Sequence, residues 1–162
     1  MSIYNHKNIF NMKKLFFLAL FMICAVSVSF AQKGSLVGGV QLVHASAFDN
    51  MGIGVKVQYH ITNHWRVEPS FDITFKHREM TMWDVNANVH YVFNVVNKFN
   101  IYPLAGLTFS HWTGDTNCFG VNVGVGAEYY INSHWGMFSE VKYQLIPDYN
   151  QSLTSIGVNY KF

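Results

Sequence analysis

Ser155-Ile156-Gly157-Val158-Asn159-Tyr160-Lys161-Phe162 closes the chain, and its reading decides the fold. Ile156, Val158, Tyr160 and Phe162 share one face; Ser155, Gly157, Asn159 and Lys161 share the other. Alternation with a period of two marks a β-strand, because successive side chains leave a strand on opposite sides. A strand divided this strictly lies between two different environments. It ends on an aromatic residue, with no polar tail beyond it.

Read backwards, the same rhythm returns seven times. Trp135, Met137, Ser139, Val141, Tyr143 and Leu145 oppose Phe138, Glu140, Lys142 and Gln144. Phe119, Val121, Val123, Val125, Ala127, Tyr129 and Ile131 oppose Gly120, Asn122, Gly124, Gly126, Glu128 and Tyr130 without a break. Ile101 to Ser110 and Trp83 to Tyr91 repeat the pattern, as do Trp65 to Lys76, Met51 to Ile61 and Leu36 to Leu42. Pro69 has no N–H for a ladder, which predicts a bulge or kink there. Predicted loops and turns cover 44–50, 62–64, 77–79, 94–100, the region of 114–117, 132–134 and 147–150. Eight segments of about 10 residues match the length of a tilted membrane strand. One echo supports this division: Tyr59-His60-Ile61-Thr62-Asn63-His64-Trp65 recurs as Tyr129-Tyr130-Ile131-Asn132-Ser133-His134-Trp135. Both copies are predicted as tight turns at one rim.

Composition agrees with a single domain. Of 162 residues, 17% are aromatic and only 12% charged, well below the usual quarter. After position 32 no apolar run approaches the roughly 20 residues of a spanning helix. Lys13-Lys14, the apolar run Leu15 to Val28 and the small-x-small site Ser29-Phe30-Ala31 predict a secretory signal peptide over 1–31, cut before Gln32. Residues 1–11 add nothing that such a leader needs, and Met12 is the more natural start. The leader holds Lys7, Lys13 and Lys14, so the mature chain has a slight acidic excess and no basic signature of a nucleic-acid partner. Cys118 is then its only cysteine, which excludes an intramolecular disulfide.

Charge placement says which face meets which solvent. Lys56, Arg66, Lys76, Lys142 and Lys161 share the polar faces with Glu68, Asp72, Asp84, Glu128 and Glu140. The apolar faces carry the bulky residues and, within the strands, no charge. Eight strands leave little interior room. The bulky apolar side is therefore predicted outside, against acyl chains, and the ten charged groups inside as a paired lumenal network. Pairing matters because a lone buried charge is very costly. With both mature termini at a periplasmic rim, the outward aromatics there are Tyr59, Trp65, Tyr91, Phe93, Phe99, Tyr129, Trp135, Tyr160 and Phe162. Phe75, Trp83, Phe109 and Phe119 mark a second belt. Rings of this kind settle at a lipid–water boundary.

The leader, the eight alternating strands, the aromatic rims and the terminal Phe162 resemble the small outer-membrane β-barrel family, of the OmpA transmembrane-domain and OmpX type. The resemblance covers residues 32–162. It implies an all-β fold: an eight-stranded antiparallel up-and-down transmembrane β-barrel in the bacterial cell outer membrane. It implies lipid, lipopolysaccharide and the barrel assembly machinery as partners of a monomer. It further implies that Val158, Tyr160 and Phe162 belong to a C-terminal assembly signal. The function expected is structural or surface interaction around a side-chain-filled lumen. The alternatives are a narrow pore for small solutes and, more remotely, an enzyme acting on lipid A.

The residues offer little chemistry beyond that. His44-Ala45-Ser46 and Ser110-His111 put hydroxyl and imidazole close together, with Asp49 and Asp115 as the loop acids, but an isolated H-x-S is a weak motif. His60 and His90 point inward, while His64 and His134 occupy turns, so the histidines are read as lumenal, rim and turn residues and not as metal ligands. No catalytic, metal or cofactor residue is predicted.

Overall fold

The alternating segments form a ring of paired strands. The computed structural model describes residues 34–47, 49–77, 80–112, 116–147 and 150–162, with the side chains of all but 76, 77, 80 and 116. The predicted signal peptide and its cleavage site lie outside the described residues. The strands are β1 Leu36–Ala45, β2 Asn50–His60, β3 Trp65–His77, β4 Met80–Tyr91, β5 Phe93–Val96, β6 Phe99–Trp112, β7 Thr116–Tyr130, β8 Trp135–Leu145 and β9 Gln151–Lys161. Every pairing is antiparallel; β1 joins β9 and β4 joins β6, so the ring closes. Closure leaves no row of unpaired backbone groups at an edge.

Nine strands make eight staves. β4 and β5 run along β6 in one register as far as Asn94, where a bulge precedes Val96, and the stave is interrupted at Val92. The gap falls where β6 presents Pro103, which has no N–H to give. Val92 turns its own backbone elsewhere: its N–H donates to His64 O at 2.7 Å, and its carbonyl accepts from His64 Nδ1 at 3.1 Å. Pro69 behaves differently from expectation. Its pairs on either side keep one register, with a gap in the ladder toward β2 but no bulge. The bulge in β3 lies between Thr74 and His77.

The strands also run further than alternation alone predicts. β1 reaches Ala45, β4 starts at Met80, β7 at Thr116 and β9 at Gln151, while the predicted 94–100 turn shrinks to 97–98. In β1, β4 and β9 an inward apolar residue, Val43, Met82 or Leu153, breaks the apolar/polar rhythm while the backbone ladder continues.

One rim holds the described chain ends, the bends at 61–64 and 131–134 and the 97–98 turn. The two bends are built alike. Thr62 Oγ1 accepts from the N–H groups of His64 and Trp65 at 3.2 and 2.9 Å. Asn132 Oδ1 accepts from those of His134 and Trp135 at 2.9 and 2.8 Å. Each bend lies against the end of the next-but-one stave. Trp65 meets Tyr91 edge-on at 4.9 Å, and Tyr91 meets Phe93 at 4.8 Å. Trp135 meets Tyr160 at 5.0 Å, and Tyr160 meets Phe162 at 5.1 Å. His64 and His134 stack on the same tyrosines. Val89-x-Tyr91-x-Phe93 therefore repeats Val158-x-Tyr160-x-Phe162 in sequence and in surroundings.

The distribution of burial is the reverse of a soluble protein's. Val40, Ile53, Phe71, Val85, Leu107, Val123, Val141 and Ile156 are exposed on the outer wall, whereas Lys56, Arg66, Glu68, Asp72, Asp84, Glu128, Glu140 and Lys142 are buried. Val123 is 44% exposed and its neighbour Asn122 is 0% exposed. Away from the chain ends the lumen is capped by an apolar cluster of Val43, Ala45, Met82, Trp112 and Leu153, with Cys118 packed against it. Toward the chain ends a smaller group joins Val92, Tyr102 and Leu104.

Candidate functional site

The polar lumen is where chemistry concentrates. It is built because every second residue of each stave points inward, bringing side chains distant in sequence within bonding reach. Nearer the chain-end rim, Arg66 Nη1 donates to Glu128 Oε2 at 2.7 Å and Arg66 Nε donates to His90 Nδ1 at 3.0 Å. Asn100 Nδ2 donates to the second Glu128 oxygen at 3.0 Å. The guanidinium also lies 4.3 Å from the centre of the Tyr102 ring, on which His90 stacks at 4.7 Å. Tyr102 OH donates to Glu140 Oε2 at 3.1 Å.

Lys56 Nζ stands 3.0 Å from Glu68 Oε2, 3.8 Å from Glu140 Oε2 and 3.3 Å from the centre of the Phe138 ring. Gln58 Nε2 donates to the same Glu68 oxygen at 2.7 Å. Both aromatic plates need glycine beneath them. A methyl group on Gly126 would clash with the hydroxyl end of the Tyr102 ring, and one on Gly157 would meet Phe138 carbons at 2.8 Å. Inward glycines thus make room for the rings that hold the charges.

Farther toward the cap, Lys142 Nζ lies 3.5 Å from Asp72 Oδ2, which also accepts from Asn86 Nδ2 at 3.1 Å; Gln41 donates to the other oxygen. Asn122 Nδ2 donates to Asn86 and Asn88 at 3.0 Å each, and Gln144 Nε2 to Thr108 Oγ1 at 3.1 Å. Gln151 Nε2 donates to Gln144 Oε1 at 2.6 Å, directly below Met82 of the cap.

Of the ten charged groups expected in this network, eight are buried here: Lys56, Arg66, Glu68, Asp72, Asp84, Glu128, Glu140 and Lys142. Lys161 is half-buried at the chain-end rim, and the Lys76 side chain lies outside those described. Val158, Tyr160 and Phe162 are on the outer wall. Phe162 N–H donates to Leu36 O at 3.0 Å, tying the last residue to the first strand.

The ligand atoms of Glu68, His90 and Glu140 lie within 4.8 Å of one another, a set that sequence spacing missed because its members come from three strands. Two features argue against a metal there. His90 Nδ1 accepts from Arg66, so neutral imidazole keeps its hydrogen on Nε2, the nitrogen that faces Glu68 at 3.7 Å. The Lys56 ammonium stands between the two glutamates.

The hydroxyl–imidazole pairs do not assemble. Ser110 is buried in the lumen, whereas His111 stacks on Trp83 outside and bonds Asn117 at 2.7 Å. His44 Nε2 pairs with Asp49 Oδ1 at 2.7 Å, but Ser46 Oγ accepts from Ser152 N–H at 3.0 Å as part of a backbone closure.

A closed antiparallel ring with an apolar wall and a charged interior defines a transmembrane β-barrel, since only such a ring satisfies its backbone in lipid without helices. The outer membrane protein beta-barrel domain family matches residues 16–162, and the chain belongs to that family. Solved structures agree on the fold. The N-terminal β-barrel domain of Pseudomonas aeruginosa OprF superposes with a TM-score of 0.66 at 18% identity, covering 80% of this chain and 100% of that one. Ail, the attachment invasion locus protein of Yersinia pestis, gives 0.60 at 17% identity, covering 80% and 97%. Neisserial surface protein A gives 0.60 at 16%, with the same shares. No curated protein matched the chain.

Proposed function

We propose that this outer-membrane barrel is a structural and surface-interaction component of the envelope, not a conduit. The observation that carries this reading is the filled lumen: charged residues from β2, β3, β4, β7 and β8 meet at its centre, and an apolar cap closes it at the rim away from the chain ends. A solute would have to break several buried ion pairs and then displace Met82, Trp112 and Leu153. Both mature termini face the periplasm, which puts the Trp65, Trp135, Tyr160 and Phe162 belt at the inner boundary of the membrane. The partners are outer-membrane lipid, lipopolysaccharide and, through Val158, Tyr160 and Phe162, the barrel assembly machinery. The connections at the outward rim, 46–49, 78–79, 113–115 and 146–150, are short, so any surface contact uses the rim itself.

Planar-bilayer recording tests the reading. The refolded wild-type protein is expected to be electrically silent in salt. Stable unitary conductance from correctly folded protein would replace this function with the pore alternative.

A further inference from the structure

We propose that Asp84 and Ser110 form part of a cation site of oxygen ligands inside the barrel. Among the described buried side chains, five carboxylates (Glu68, Asp72, Asp84, Glu128 and Glu140) face three permanent cations (Lys56, Arg66 and Lys142). Glu128 has Arg66, Glu68 has Lys56 and Asp72 has Lys142; Glu140 takes the Tyr102 hydroxyl and the more distant Lys56. His90 adds no charge, because a protonated ring would turn an N–H toward the Arg66 donor.

Asp84 is left over. It is 0% exposed, and neither of its oxygens has a hydrogen-bond partner. Its register partner on β3 is Asp72, another carboxylate, and on β6 it is Ser110. Ser110 Oγ is also 0% exposed and has no well-formed hydrogen bond, and it lies opposite Asp84 in the ladder, on the same inward face. Buried charges are paired or coordinate metals. Nearer the chain ends the Lys56 ammonium fills that role between Glu68 and Glu140; among the described side chains the cation that reaches Asp84 is Lys142, and its close ion pair is with Asp72.

The donors are oxygen atoms, which selects a hard cation such as Ca2+ or Na+ over zinc or copper. One divalent ion balances five carboxylates against three cations. The apolar cap and the filled lumen seal the site, so the ion is captured as the barrel closes.

The test is to refold the full mature protein into zwitterionic vesicles in CaCl2, in NaCl, or in choline chloride with chelator. Retained metal is then measured after gel filtration, and the urea midpoint is recorded. Wild type is expected to retain Ca2+ or Na+, whichever the site takes, and to unfold at higher urea in that salt than in choline. Asp84→Asn is expected to lose both effects while folding, because it removes the charge and keeps the shape. Ser110→Ala, should Asp84→Asn fail to fold, is expected to retain less ion. The proposal is overturned if wild type retains neither ion and its midpoint ignores the salt. It is equally overturned if Asp84→Asn retains as much ion as wild type. Loss of stability in Lys76→Met with no ion retained by wild type would assign the partner to Lys76 instead.

Discussion

Val123 and Asn122 are adjacent, yet one meets lipid and the other meets Asn86 and Asn88. Alternation makes this difference readable from sequence, because a one-residue step on a strand always changes sides. Val123→Arg places an unpaired charge on the outer wall and should cost about 2–4 kcal/mol near the bilayer midplane, whereas Val123→Leu should cost little. Reversible folding into lipid vesicles measures both. Equal stability for the two variants would mean that this wall does not face acyl chains. Pairing partners were less legible. Arg66 was identifiable as inward, but its choice of Glu128 over Glu68 depends on ring closure bringing β3 and β7 within reach across the lumen. The inward run of apolar residues was also hidden. Val43, Met82 and Leu153 look like outward residues out of phase until the ladder shows them facing the cap.

Turns and strand ends are where sequence patterns spoke most clearly and also where they failed. The echo between 59–65 and 129–135 correctly placed two similar turns on one rim. The matching aromatics of β4 and β9 entered the expectation only as belt residues, because seeing them as a repeat requires knowing which stave each bend lies against. Proline was visible but its effect was not. Pro69 leaves a gap without a bulge, and Pro103 divides a neighbouring stave, since what matters is which neighbour the missing N–H would have faced. Thr62 and Asn132 each close their bend by accepting two backbone N–H groups. Thr62→Ala and Asn132→Ala should therefore each destabilise the barrel by about 1–2 kcal/mol, at about 0.5–1.5 kcal/mol per net hydrogen bond. Exchanging the two residues, Thr62→Asn with Asn132→Thr, should restore most of that loss. Urea titration of the refolded proteins checks it, and a double exchange as unstable as the alanine pair would show that the bends are not equivalent.

At the scale of the molecule, the inverted distribution of polarity was legible because five lysines and arginines and five acids all fell on one set of faces. Closure itself was expected from the resemblance to small outer-membrane barrels and is seen in the β1–β9 and β4–β6 pairings. The two matching rim assemblies carry a topological consequence. A ring has no intrinsic beginning, and one seam of this one lies where Phe162 meets Leu36. Phe93 offers a second seam with the same tyrosine, tryptophan and histidine around it. A circular permutant that starts at Phe99, links Phe162 to Ser35 through a short flexible joint and stops at Phe93 should fold into the same barrel. Heat-modifiable gel mobility and near-UV circular dichroism would establish it. Loss of the folded form in detergent would show that the two seams, alike in their residues, are not interchangeable as ends.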